Sequence, residues 1–250
     1  MNLKNYTLKN LLVVSVLSTA NVYADVKPAN LFTDNMVIQQ QANAAIWGWA
    51  EAGEKVTVSA SWGESVSTLA QDNGYWLVKL KTPKASIDTT HSITFKGNNQ
   101  VNIANVLVGE VWLASGQSNM QWPVKESRLT KDQVAPADNS LIREYSVKHT
   151  YKEQPAQEVD GKWQLATGET KQSLSATAYY FADHLYQNLA VPVGIIHSSW
   201  GGTPIETWLS KEAQANHQPT QNKIAKLKEQ GEKFDEKAAK QKYQAILAKW

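Results

Sequence analysis

Two almost unbroken apolar runs, at 106–114 and 191–197, each close in a string of small residues. The first run ends in Ser115-Gly116-Gln117-Ser118-Asn119-Met120, the second in Ser198-Ser199-Trp200-Gly201-Gly202-Thr203. Runs of this kind suit strands buried on both faces of a parallel sheet. Between them, 177–189 sets Ala178, Phe181, Leu185 and Leu189 along one side of a helix. Strand, helix, strand predicts an α/β sheet. Both small-residue loops then fall at the carboxyl ends of their strands, the edge on which such sheets build their sites.

The stretch 25–105 has another texture. Short alternating runs (45–49, 55–58, 75–80, 92–95) are separated by turn signals such as Ala52-Gly53-Glu54, Trp62-Gly63, Asp72-Asn73-Gly74 and Gly97-Asn98-Asn99. That spacing predicts an antiparallel β-sandwich placed ahead of the α/β region. Beyond 210 the chain turns lysine-rich, with nine lysines against four glutamates and one aspartate in 211–250. Ile224, Leu227, Phe234, Ala238, Ile246 and Leu247 recur there at roughly helical spacing, which predicts a surface helix with a break at Gly231. The organisation expected is therefore 1–24, 25–105, 106–210 and 211–250.

The first of these segments reads as a leader. Lys4 and Lys9 precede an apolar run at 11–20, and Val22-Tyr23-Ala24 suits a small-x-small cleavage site. The run is too short to span a bilayer, so cleavage after Ala24 and export to the periplasm or medium are expected, with no membrane contact afterwards. No cysteine is present, which excludes disulfide frameworks, thiol nucleophiles and Cys-zinc sites. A formal charge of +2 with no basic stripe argues against nucleic acid as a partner. Ten tryptophans and nine tyrosines suit either a β-rich core or a sugar-binding surface.

The chemistry concentrates at the two loops. Gly116 lets the backbone turn sharply, and Ser118, between Gln117 and Asn119, is presented with its hydroxyl out and backbone N–H groups beside it. Acyl transfer needs that pairing of a nucleophile with donors for a developing oxyanion. Gly201 and Gly202, with Thr203 after them, would offer a second patch of unobstructed amides. Taken singly, each motif could be only a turn; at the ends of two neighbouring strands they reinforce each other.

At these residues the sequence resembles the sialate O-acetylesterase family, within the SGNH hydrolase superfamily. The resemblance is carried by Gly109-Glu110-Val111-Trp112-Leu113-Ala114-Ser115-Gly116-Gln117-Ser118-Asn119-Met120, by Ser175-Ala176-Thr177-Ala178-Tyr179-Tyr180-Phe181, and by the block from Val191 to Trp208 that contains Trp200-Gly201-Gly202-Thr203-Pro204-Ile205-Glu206-Thr207-Trp208. It implies a flavodoxin-like parallel sheet and an esterase that removes acetyl groups from sialic acid or related glycans. It implies Ser118 as nucleophile and no metal or cofactor. The Ser118 amide, an amide near Ala176 and the Gly201-Gly202 loop would hold the oxyanion, with Gly116, Gln117, Asn119 and Thr203 around the substrate.

The family also carries a D-x-x-H pair far beyond its nucleophile, and none follows Ser118 here. The expectation is an incomplete chain, inactive by itself, whose Asp-His pair lies past residue 250. Asp88-Thr89-Thr90-His91 has the right spelling but sits in the sandwich region, where a structural role is expected. His197, at the end of its strand, is expected to be a packed, hydrogen-bonded residue. Two other readings compete: a non-catalytic sugar-binding sandwich with a vestigial hydrolase domain, and an acetylxylan-type esterase.

Overall fold

A computed structural model of the chain describes residues 25–127, 137–152 and 154–249. The expected leader at 1–24 lies outside the described residues. No helix among the described residues is long and apolar enough to cross a membrane.

The chain first builds short strands: β1 (Lys27–Pro28), β2 (Val37–Gln39), β3 (Asn43–Trp49), β4 (Lys55–Ala60), β5 (Ser65–Leu69), β6 (Tyr75–Lys81) and β7 (His91–Lys96). β1, β3 and β6 form a three-stranded antiparallel sheet. Against it lies a second antiparallel layer, in the order β5-β4-β7, continuing into β8 (Gln100–Gly116). Alternation along these strands sends one set of side chains inward. Ile46, Trp76, Val78 and Leu80 from one layer thus share a core with Val56, Val58, Ile93 and Phe95 from the other, and Trp76 sits 5.9 Å from Phe95. The alternating runs read from the sequence all become strands; β1, β2 and β5, too short or too polar to announce themselves, are additional.

The 17 residues of β8 serve both halves of the molecule. Residues from Gln100 to Val106 pair with β7, 107–109 with β2, and 110–116 with β11 (Val193–Ser199). The expected boundary between 105 and 106 falls inside this strand, at a kink where Asn105 takes φ 53°. Arg143, on β9 (Asn139–Val147), is buried against that kink, its guanidinium donating to the backbone oxygen and Oδ1 of Asn105 and to Ser140 O. Burial pushes that guanidinium down to about 10. Arg143→Met would leave the Asn105 acceptors unpaired in the interior. The expected loss is about 1–3 kcal/mol of unfolding free energy, read by urea denaturation.

The α/β layer runs β10-β9-β11-β8, with β10 (Gly161–Ala166) antiparallel at the edge and β9, β11 and β8 mutually parallel. α1 (Ser118–Gln121) and α2 (Gly168–Ser173) are short, and α3 (Ala176–Leu189) packs on β11 and β9. The buried side of α3 matches the expected one in part: Ala178 is buried and Leu185 packs against the core. Ala176, Ala178, Tyr179 and Ala182 face the sheet, while Phe181 and Leu189 are exposed. Small residues let the helix approach closely, and Phe181 instead meets Trp112 edge-on at 5.1 Å. Likewise β8 is buried on both faces only at 106–109. Past Gly109, where β2 ends, no described strand lies along its second edge, and Trp112 and Leu113 are exposed. The lysine-rich stretch forms α4 (Lys211–Gln214), α5 (Gln218–Glu232) and α6 (Glu236–Leu247). Gly231 lies within α5; the break comes just after it, where Asp235 caps α6 by accepting from Ala238 N. Leu227, Phe234, Ile246 and Leu247 are all exposed.

Candidate active site

Gly116 and Ser199 are partners across the parallel pair β8–β11, so both loops leave the sheet at the same level. Gly116 has φ +145°, open to glycine and strained for other residues, and the chain turns there into α1. Ser118 opens that single turn and is exposed. Its Oγ–H donates to Gln117 Oε1 at 3.2 Å. Among the described residues, the N–H groups of Ser118 and Asn119 find no acceptor, as expected for the head of a helical turn. The Ser118 hydroxyl and these amides therefore border the same space. A cleft of about 460 Å³ opens there, lined by residues 115–120 and Thr177. A second, of about 300 Å³, lies between Gly116-Gln117 and Thr203, Ile205 and Trp208.

The glycine loop comes close. Trp200 N donates to Gly116 O at 3.0 Å. A side-chain carbon placed on Gly201 would stand 3.5 Å from Ser118 Oγ and 2.7 Å from Gln121 Oε1. The Gly201 amide is not free, since it donates to Gln121 Oε1 at 2.6 Å; a substrate oxygen reaches it only by displacing that side chain. Gly202 is exposed with φ +80°. Thr203 closes the loop, its hydroxyl donating to Trp200 O and accepting from Trp208 Nε1. Ala176 departs from its expected role. It is buried, and its amide donates to Trp122 O at 2.8 Å, so it has no donor left for an oxyanion. Its neighbour Thr177 lines the cleft instead, held by its hydroxyl to Asn119 O.

None of the five histidines hydrogen-bonds Ser118 Oγ. His91 stacks edge-on against Trp62 and meets Ser61 Oγ; burial lowers its pKa. His184 and His217 engage Asn188 and Thr220. His149 lies flat on Trp200, ring centroids 4.5 Å apart, with Nε2 on Ser199 O. Tyr151, 88% exposed, sits beside the same indole. His197 is held on both nitrogens, by Glu144 and by Ser199. Glu144 and Tyr151 went unread in the sequence. Glu144 sits in a strand with little periodic signal, and Tyr151 in a loop whose partner lies 49 positions away. Among the described residues, no cluster of three His, Asp or Glu side chains is placed to hold a metal ion.

An exposed serine on a sharp strand-to-helix turn lies here at the carboxyl edge of a mixed sheet flanked by helices, the edge on which α/β sheets build their sites. The model of carbohydrate esterases described as sialic acid-specific acetylesterase matches residues 108–248, and the chain belongs to that family. It is 35% identical over 200 residues to the sialate O-acetylesterase of Pongo abelii and 34% to that of Homo sapiens, each match covering 73% of this chain and 38% of the relative. The chain thus spans a little over a third of the length of these curated relatives. A solved carbohydrate acetylesterase from Xanthomonas citri superposes with a TM-score of 0.71 at 30% identity, covering 77% of this chain and 44% of its own.

Proposed function

We propose that the protein is a serine carbohydrate O-acetylesterase of the sialate type, with the sheet arranged as in SGNH hydrolases. The observation that carries this reading is Ser118, exposed at the head of α1 with unpaired amides beside it, inside the segment that matches the family. Ser118 Oγ attacks the acetyl carbonyl carbon, and the oxyanion is received by the Ser118 and Asn119 N–H groups. Collapse expels the sugar hydroxyl and leaves an acetyl-serine, which water hydrolyses to acetate. Attack needs a base, and none of the described histidines hydrogen-bonds Ser118 Oγ. The exposed Tyr151 ring, beside Trp200 and the glycine loop, supports a sugar as substrate, because its flat apolar face suits the C–H faces of a pyranose.

Acetate release from O-acetylated sialic acid, measured beside acetylated xylan, tests the reading. Preferential release from the sialic acid is expected; turnover of xylan alone would assign a different sugar, and turnover of neither would sink the esterase. We also infer export, from Lys4, Lys9 and the apolar run before Ala24. N-terminal sequencing of the exported protein should begin at Asp25, and a retained Met1 would refute cleavage.

A further inference from the structure

The pair formed by Glu144 and His197 plays no part in the acyl-transfer steps above, yet it joins Ser146, Ser175 and Ser199 in one buried network. Glu144 lies on β9 and is only 2% exposed. Its Oε1 accepts from His197 Nδ1 at 2.9 Å and from Ser146 Oγ at 2.8 Å, and its Oε2 accepts from Ser175 N at 3.2 Å. A carboxylate only accepts, so His197 Nδ1 carries a proton towards Glu144, and Nε2 meets Ser199 Oγ at 2.6 Å. Burying a carboxylate costs several kcal/mol unless its oxygens are satisfied, and here three donors satisfy them.

What these contacts hold is the catalytic edge. Ser199 is the last residue of β11; the next residue, Trp200, is tied to Gly116, and the one after, Gly201, to Gln121. On the other side, Ser175 caps α3 and donates its hydroxyl to Met120 O, within the turn that Ser118 opens. One buried carboxylate is therefore linked, through His197 and Ser199, to the glycine loop and, through Ser175, to the nucleophile turn. The geometry points to Glu144 and His197 as positioning residues, which hold these two pieces in the register that acyl transfer requires. This rests on Ser118 being the nucleophile, and the role needs neither residue to touch substrate. A shift of about 1 Å between catalytic groups can cost on the order of 10²-fold in rate. Sugar binding, carried by surfaces outside the pair, should be little affected.

The test uses the intact protein and an acetylated sugar. Glu144→Gln keeps the side-chain shape but cannot accept from both His197 and Ser175. Ser199→Ala removes one hydroxyl and cuts only the link to the loop. Both are expected to lower kcat, by about 10–100-fold for Glu144→Gln and less for Ser199→Ala, with KM within twofold; the thermal midpoint should fall in Glu144→Gln, which leaves a buried donor unpaired, and stay close to the parent in Ser199→Ala. Proton NMR should show a strongly downfield imidazole N–H in the parent protein that is lost in Glu144→Gln and kept in Ser199→Ala. Should Glu144→Gln fail to fold, Ser199→Ala and the parent spectrum decide. An unchanged kcat in the folded variants, a rise confined to KM, or a parent spectrum without the downfield proton would each overturn the positioning role. Ser118→Ala serves as control: if it stays active, the nucleophile assignment has failed rather than the role of the pair.

Discussion

Ser118→Ala is expected to abolish acetate release from acetylated sugars in the intact protein, with a fall in kcat on the order of 10⁶-fold and little change in fold. Loss of the nucleophile in a serine hydrolase costs about that much, because the oxyanion donors and substrate positioning that remain supply only a small part of the rate enhancement. Ser118 is exposed and makes one side-chain hydrogen bond, to its neighbour Gln117, so alanine disturbs no packing. A fluorophosphonate should label the parent at Ser118, located by mass spectrometry, and leave the alanine variant unmodified. None of the five histidines hydrogen-bonds Ser118 Oγ, and His197 in particular has both ring nitrogens committed. Retained activity in Ser118→Ala would remove the nucleophile from this site altogether.

The parts of this arrangement that sequence exposes are those written in local chemistry. Alternation in 43–49 and 75–81 specifies paired strands, since period-two burial is imposed by the pleat itself. Gly116 and Ser118 are legible because only a small-residue turn can end an apolar strand and expose a hydroxyl in so few positions. The D-x-x-H spelled by Asp88 and His91 is equally visible and means something else, a ring packed on Trp62 at the start of β7. Spacing cannot distinguish the two cases without knowing which edge of which sheet a residue occupies. What stays hidden depends on pairing over distance. β9 reads as a mixed polar run, yet β10 and β11 bury Ile142, Arg143, Glu144 and Tyr145 together, and Glu144 meets a histidine 53 positions away. The helix α3 shows the same limit. A stripe of large apolar residues suggests Phe181 and Leu189 as the buried side, but close approach to β11 favours the alanines. The Ala176 amide follows suit, taken by Trp122 in a bridge between segments 54 positions apart.

Gly201→Val should lower kcat by roughly 10²–10³-fold in the intact protein while leaving expression and the thermal midpoint close to those of the parent. Two effects act in the same direction. The first is steric: the added carbon would stand 2.7 Å from Gln121 Oε1 and 3.5 Å from Ser118 Oγ, so the side chain that fills the loop must move and the nucleophile loses its approach space. The second concerns hydrogen bonding. The Gly201 amide donates to Gln121 Oε1 at 2.6 Å, and a valine that pushes this partner aside removes the contact joining the loop to the end of α1. A nucleophile turn displaced by about 1 Å costs on the order of 10²-fold, and the lost approach space adds to it. Gln121→Ala separates the two effects. It frees the Gly201 amide without adding bulk. If that amide serves the oxyanion once Gln121 is displaced, the Gln121→Ala enzyme should keep most of its kcat while Gly201→Val loses it. If instead the Gln121 bond matters as a brace, both variants should fall together. Activity of Gly201→Val within a fewfold of the parent would make the loop a packing feature and remove it from the catalytic site.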